Sequence, residues 1–411
     1  MKNTLAIIIL FFLGTSSHAN TIVVGKDKVI STLKSAINLA QKGDTILLNK
    51  GVYKEENIIV NKSVTIIGID MPILDGENKY EILTVSGSDI IIKGIHFRNS
   101  GYSSMNDLAS INIIDASRIT IRNNKIENAF FAIHVGNARN SRIFENEIYG
   151  QAVSEQSSGN GIHLWKCDSI YVNDNTITGH RDGIYFEFVT NSIISNNISH
   201  GNVRYGLHFM FSNHDTYINN TFKDNGAGVA VMYSHHVLML SNVFDHNWGT
   251  NAYGLLLKEI SDATIARNVF IENTVGILME GTNRINVAMN NFTSNGWALR
   301  IQASCEQNTI ELNNFQGNTF DVATNGTRSG NTFAFNYWDN YNGYDMNKDD
   351  IGDVPHHPIS MYSMVIEQNP HSLILLRSFM VSLLNKAEQA IPSLTPEFLL
   401  DKKPLMKALV I

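Results

Sequence analysis

Residues 196–244 read NNISHGNVRYGLHFMFSNHDTYINNTFKDNGAGVAVMYSHHVLMLSNVF, and the echo inside this stretch decides the fold. Asn220-Thr221-Phe222 returns as Asn242-Val243-Phe244. Gly206-Leu207-His208-Phe209-Met210 returns as Gly228-Val229-Ala230-Val231-Met232. Both returns share one offset, so a single structural unit repeats. Working outward, a triplet of Asn, any residue, then Ile or Phe starts at Asn124, Asn146, Asn175, Asn196, Asn220, Asn242, Asn268, Asn290 and Asn313, and ends with Trp338 at Asn336. A small residue opening an alternating strand keeps step with it at Ala132, Gly161, Gly183, Gly206, Gly228, Gly254, Gly276 and Ala298. A unit of about 22–23 residues is too short for a helical repeat of ~33 residues and lacks a 3.6-residue apolar period. It accommodates three short strands and three turns. The expected fold is therefore all-β, a right-handed parallel β-helix. Asn suits one of its corners, because it tolerates left-handed backbone and its amide can bond the copies above and below.

Composition agrees. The 411 residues hold 29 Gly against 7 Pro, and 43% are hydrophobic, which favours turn-rich β structure and excludes disorder. A net charge of -7 without a basic stripe excludes a phosphate-backbone binder, so no nucleic acid is expected.

The ends depart from the repeat. Residues 1–19 read as a signal peptide: Lys2, the apolar run 5–13, then Ser17-His18-Ala19 as a cleavage site. The run is far shorter than the ~20 residues of a membrane span, so the expected location is periplasmic. Residues 20–50 are expected to form an N-terminal cap. In it, Ser31 starts a helix over 31–41 whose Leu33, Ala36, Ile37 and Ala40 face inward, with Gly43 just past its end. Residues 51–340 form the solenoid. In the acidic loop 341–358, Asp345, Asn347, Asp349 and Asp353 occupy positions 1, 3, 5 and 9 of an EF-hand-like calcium loop. Asp350 replaces the usual Gly and no Glu stands at position 12, so calcium and a turn held by its own side chains both remain open. Residues 359–411 read as an apolar helical tail. Leu373, Leu376, Phe379, Met380, Leu383 and Leu384 suit either a cap folded on the last coil or docking to a membrane partner. Cys167 and Cys305 fall six repeats apart, roughly 29 Å at ~4.8 Å per layer, so no disulfide joins them. Both are expected to be buried thiols.

Alternation along the strand after each glycine separates two faces. Ile162 and Leu164, Ile184 and Phe186, Leu207 and Phe209 point inward. Outward, two residues after the mark, the column reads His134, His163, Tyr185, His208, Ala230, Leu256, Leu278, Arg300. Four residues after it, the column reads Gly136, Trp165, Glu187, Met210, Met232, Lys258, Glu280, Gln302. A solvated sheet face usually carries Thr, Ser, Lys and Glu. Here His134, His163, Trp165, Tyr185 and Glu187 make a candidate binding surface, with ordinary aromatic packing as the alternative. His208, Met210 and Met232 are candidate copper ligands, since thioethers with imidazole select Cu(I). His214, His235, His236 and Met239 follow nearby. Carbohydrate chemistry is the rival: His163, Tyr185, Glu187 and Arg300 offer acid, base and positive charge to a polysaccharide lyase or epimerase. Acidic partners are sparse there, however, and no Asp-Pro-His-Glu run occurs.

The segments GNGIHLW at 159–165, HRDGIYFEF at 180–188, VRYGLHFMFSN at 203–213, GAGVAVMYS at 226–234, YGLLLKEI at 253–260 and TVGILMEG at 274–281 carry a further signal. With NGWALR, FDVATNG, NYWDNYNGYD and IGDVP they resemble the NosD family of nitrous oxide reductase maturation proteins, and the closing LLRS and LTPEFLLDKKPLM are similar to that family's tail. The resemblance spans nearly the whole chain after the leader. It implies a periplasmic β-helix without established enzymatic activity that is membrane-associated through an ABC transporter permease and its ATPase. It also implies work with a copper chaperone lipoprotein on the copper-sulfide centre of nitrous oxide reductase. His208, Met210 and Met232 lie in the matching block.

Overall fold

The computed structural model describes residues 19–103, 107–326, 330–390 and 399–411. The expected leader lies, apart from Ala19, outside the described residues. Each coil lays down three short strands, and every strand pairs in parallel with its copy one coil on. The strands carrying the Asn-x-Phe triplet, from Val52–Tyr53 to Tyr337–Trp338, build one 13-stranded sheet. The other two faces merge into a 24-stranded sheet, because Leu83–Lys93 and Ala109–Arg122 run unbroken around the corner between them. The chain is a parallel β-solenoid, as the repeat predicts.

Register makes the core. Phe222, Phe244, Phe270, Phe292 and Phe315 stand one above another, fully buried. Successive ring centroids are 5.6, 4.6, 4.8 and 4.9 Å apart, and Trp338 closes the column at 4.1 Å from Phe315. Burial of each such ring is worth ~1.5–3 kcal/mol, with further gain from the stacked geometry.

At the corner before each triplet the Asn side chains form a continuous ladder. Asn220 Oδ1 accepts from both the backbone N and Nδ2 of Asn197, at 2.9 Å each. Asn220 Nδ2 donates to Asn242 Oδ1 at 3.0 Å and to the Ile194 carbonyl at 2.9 Å. The ladder corrects one register. Asn197, not Asn196, occupies the ladder, while Asn196 takes the left-handed turn before it (φ 54°). In that coil Ser199 points inward and Ile198 is 47% exposed. A second ladder, not expected from the sequence, runs through Asn202, Asn225, Asn247, Asn273, Asn295 and Asn318, with His180 donating its backbone N into its first member.

The N-terminal end is sealed by helix α1 (Leu33–Leu39), which buries Leu33, Ala36 and Ile37. Thr32, not Ser31, is its cap, and Glu55 accepts from the Leu33 and Lys34 amides at 2.7 and 3.0 Å. Lys62 Nζ donates to the carbonyls of Ile37, Asn38 and Ala40 at the other end. The helix thus meets the polar needs of both termini through side chains of the coils beneath it. Residues 20–50 are more than a plug, since Thr21–Val24 already pairs with Thr45–Leu48.

The C-terminal segment divides in two. Helix α2 (Met361–Gln368) and helix α3 (Phe379–Ala390) form a hairpin on the outside of the glycine-marked face. There Tyr362 and Ile366 cover Phe320, and Arg300 pairs with Glu367 at 2.9 Å. Residues 399–411 instead return to the solenoid. Asp401, fully buried, takes the position an eleventh ladder residue would hold. Its Oδ2 accepts from Asn336 N, Asn336 Nδ2 and Trp338 Nε1 at 3.1, 3.0 and 3.1 Å. Leu405 pairs with Tyr337, and Asn314 with the Leu409 backbone. The expectation of one docking tail over 359–411 is corrected: its last stretch is the lid of the stack, and only the hairpin stands apart.

In the acidic loop, Asp345 accepts from the amides of Lys348, Asp349 and Asp350, Asn347 Oδ1 from Asp349, Asp349 from Ile351, and Asp353 from Met346. Asp350 pairs with Lys407 at 2.8 Å. These bonds tie the side chains of the loop to its own backbone. Cys167 and Cys305 are buried and free; each thiol bonds a carbonyl of the core.

Candidate functional site

The outward columns form in the order read from the sequence. His134, His163, Tyr185, His208, Ala230, Leu256, Leu278 and Arg300 pair in succession, as do Gly136, Trp165, Glu187, Met210, Met232, Lys258 and Glu280. Four of these rings become one stack: His134 to His163 is 5.0 Å, His163 to Tyr185 4.6 Å, and Tyr185 to His208 4.9 Å between centroids. Phe131 flanks the first two, and Tyr205 lies 4.8 Å from His208. Trp165 stays exposed at the rim beneath the Lys166 ammonium.

Projection from the sheet is not the same as exposure. His208 is only 6% exposed, and Ala230 and Leu256 are buried with it. The coil between Asn242 and Asn268 is longer than its neighbours, and Tyr253 from it lies against Ala230 and Leu256, its hydroxyl 3.2 Å from that of Tyr205. The burial of His208 corrects the expectation that all three copper candidates stand in solvent. Met210 and Met232 remain partly exposed.

A charged pair, Asp182 just before Gly183 and Arg204 two residues before Gly206, supports His208. Asp182, fully buried, accepts from Arg204 Nε and Nη2 at 2.9 and 2.6 Å. Arg204 Nη2 also donates to His208 Nδ1 at 3.0 Å, and that nitrogen lies 3.5 Å from Asp182 Oδ2. Burial pushes the Asp182 carboxyl up, but the neighbouring His208 and the bonds from Arg204 outweigh it and hold the group below its usual range. His208 Nε2 is left buried without a partner. The sequence held a trace of this network: Asn160 and Asp182 are the polar members of a column that otherwise holds Phe131, Tyr205, Ala227, Tyr253, Val275 and Trp297, and Arg204 directly precedes Tyr205.

Burial lowers the pKa of His134, and that of His163 to about 3, so both rings are neutral at physiological pH. His134 Nδ1 bonds Asn112 Oδ1 at 3.0 Å, and His163 Nδ1 bonds Asn160 Nδ2 at 3.1 Å. Burial, with Glu187 next, lifts Tyr185 to about 12, so its hydroxyl keeps its proton and points toward Glu187 Oε2 (3.4 Å) and Met210 Sδ (3.8 Å). Neutral imidazoles beside two thioethers are the ligand form for a soft metal and a poor set for acid-base chemistry. Arg300 lies five coils from Tyr185, engaged by Glu367. The structure brings His163, Tyr185 and Glu187 together but leaves Arg300 apart from them. Met239 is core, whereas His214, His235 and His236 lie exposed at the next corner.

By architecture the molecule is a parallel β-solenoid with a decorated outer face. Among solved structures it is similar to the surface adhesin PfbA of Streptococcus pneumoniae, at 12% identity and a TM-score of 0.56 over 74% of this chain and 87% of that one. It is also similar to the catalytic unit of a GH87 alpha-1,3-glucanase from Streptomyces thermodiastaticus, at 13% identity and a TM-score of 0.61 over 74% and 65%. At such identities the likeness concerns the fold alone. Residues 144–347 match the protein-family model described as "Periplasmic copper-binding protein (NosD)". Two curated relatives, each named "Probable ABC transporter binding protein NosD", are 28% identical. The one from Stutzerimonas stutzeri aligns over 82% of this chain and 80% of its own length, and the one from Pseudomonas aeruginosa over 81% and 82%. The chain belongs to the NosD family. Among its described residues no helix is long and apolar enough to cross a membrane.

Proposed function

We propose that this chain is a periplasmic accessory protein that handles copper during assembly of the copper-sulfide centre of nitrous oxide reductase. It works with an ABC transporter permease and its ATPase and with a copper chaperone lipoprotein. The family description and the relatives' names support the copper and the transporter. The observation that carries the reading is the ring stack of His134, His163, Tyr185 and His208 beside the Met210–Met232 pair. The pair supplies thioethers at an accessible rim, and His208, held by Arg204 and Asp182, lies behind it. The protein binds rather than catalyses, since Tyr185 retains its proton and Arg300 is engaged elsewhere. Its dock on the permease is the outer side of α3, where Phe379, Met380 and Leu383 are 83%, 56% and 50% exposed.

Anaerobic Cu(I) titration against a chromophoric chelator tests the copper reading. The protein should take up Cu(I) at up to one equivalent. Met210→Leu with Met232→Leu, which preserve volume, should weaken uptake at least tenfold with little change in stability. Unchanged uptake would remove these residues from the site, and cleavage or epimerisation of a polysaccharide by the pure protein would overturn the accessory role.

A further inference from the structure

We propose that His214, His235 and His236 form a separate metal site, a three-imidazole centre for Cu(II). One ring nitrogen from each lies within 4.8 Å of the others, and among the described residues no other group of three His, Cys, Asp or Glu side chains gathers this way. Three nitrogens at ~2.0–2.1 Å from one ion stand about 3.3 Å apart. Small turns of these exposed rings close the difference.

The backbone that presents them is fixed. His214 and His236 hold the same corner position in successive coils, in left-handed conformation at φ 60° and 55°. Neighbouring coils place Asn191 and Asp262 there, residue types that adopt this conformation readily. The two rings stack at 4.9 Å, about one layer, and His235 meets both edge-on at 5.6 and 5.0 Å. His214 N bonds the His235 carbonyl, His235 N bonds Asn213 Oδ1, and His236 N bonds the Ser261 carbonyl. The backbone therefore needs no ordering before a metal arrives, and only the rings turn. Among the described residues none of the three rings pairs with a carboxylate; the nearby Asp262 is held by Arg284 at 2.6 and 2.7 Å.

Imidazole accommodates copper, zinc and nickel, and of these divalent ions copper binds most tightly. Three protein nitrogens leave a position open, which suits an ion that must later leave. The placement adds to this. On the same two coils, Met210 and Met232 end their strands and the Phe211–Tyr233 stack turns the corner at 5.0 Å. His214 and His236 then follow. Donors for reduced and for oxidised copper thus flank one aromatic corner. The imidazole site stands on its own geometry and does not require the maturation role.

The purified protein is titrated with Cu(II) and followed by electron paramagnetic resonance and visible absorption. One equivalent should bind with nitrogen hyperfine structure, and nickel and zinc should compete more weakly. His214→Asn and His236→Asn, which copy the Asn191 corner, and His235→Ser, which copies Ser261, keep the fold. Together they should abolish the signal, while Met210→Leu with Met232→Leu should leave it intact. No stoichiometric Cu(II) binding, or unchanged binding in the His variant, overturns the site. Loss of Cu(I) uptake alone would concern only the methionine pair.

Discussion

Asn220 and His208 belong to one coil and both are buried, yet their polar atoms fare differently. Every side-chain donor and acceptor of Asn220 has a partner in the coil above or below. His208 has its Nδ1 engaged by Arg204 and its Nε2 by nothing. A buried polar group left unmatched costs about 1–3 kcal/mol, so a ladder that leaves none is a stabilising device, whereas an orphaned imidazole is tolerated where something else is gained. The same contrast holds on a larger scale. The Asn corner runs unbroken from Asn124 to Asn336 and closes on Asp401. The outer glycine-marked face changes from an imidazole stack to a tyrosine-covered apolar patch and then to the helical hairpin. Stability resides in the corner, and the chemistry resides on the face.

The strongest test of that division is Asn220→Ala. It removes four hydrogen bonds and strands the Asn197 amide and the Ile194 carbonyl inside the stack. A loss of roughly 3–5 kcal/mol is expected in urea denaturation. A loss below ~1 kcal/mol would mean that the ladder merely accompanies the Phe column.

A smaller effect sharpens the comparison from a third column. Asp215 accepts from Ser192 N at 2.6 Å through Oδ1, but its buried Oδ2 has no partner, and burial raises its pKa to about 8. Because the folded-state value lies above the unfolded one, the folded chain binds the extra proton. Stability is fully present below the unfolded pKa of ~3.9 and declines as pH rises toward about 8. Asp215→Asn should flatten this decline, with a higher midpoint than the wild type at pH 8 and little difference at pH 4. Parallel pH profiles for the two proteins would show that Asp215 does not titrate as placed.

Much of the contrast was legible beforehand. The glycine mark fixed inward and outward positions, and each pairing of the two outward columns followed. The first ladder was legible too, except where the doublet Asn196-Asn197 offered two frames and the apolar Ile198 favoured the wrong one. The second ladder was equally written in the chain, because each of its members follows a first-ladder Asn by five residues, as Asn225 follows Asn220 and Asn247 follows Asn242. What escaped was contact across long separations. The cover over Ala230 and Leu256 comes from Tyr253, and the lid over Trp338 comes from Asp401. Neither leaves a local periodicity, since such a contact is set by the path of a loop. The three histidines at the corner lie between these cases. Their spacing of one coil is visible, but their convergence needed the left-handed backbone at two of them.

The last test concerns the hairpin, where the least effect on stability is expected. Cutting the chain after Pro358 is not diagnostic, because it also removes Asp401 and opens the end of the ladder. Substitution on α3 is cleaner. Its Val381, with Leu376 before it, packs toward Phe320 and Tyr362, whereas Phe379 and Leu383 face away. Phe379→Ser with Leu383→Ser should therefore shift the urea midpoint by no more than ~0.5 kcal/mol, the usual range for exposed positions. If this side docks on the permease, each large apolar side chain buried there contributes ~1.5–3 kcal/mol, and the double variant should no longer co-purify with the transporter. Retained co-purification would move the dock elsewhere on the solenoid. A large loss of stability would show that the chain itself covers this side, making the hairpin a second lid and the outer face as self-contained as the ladder.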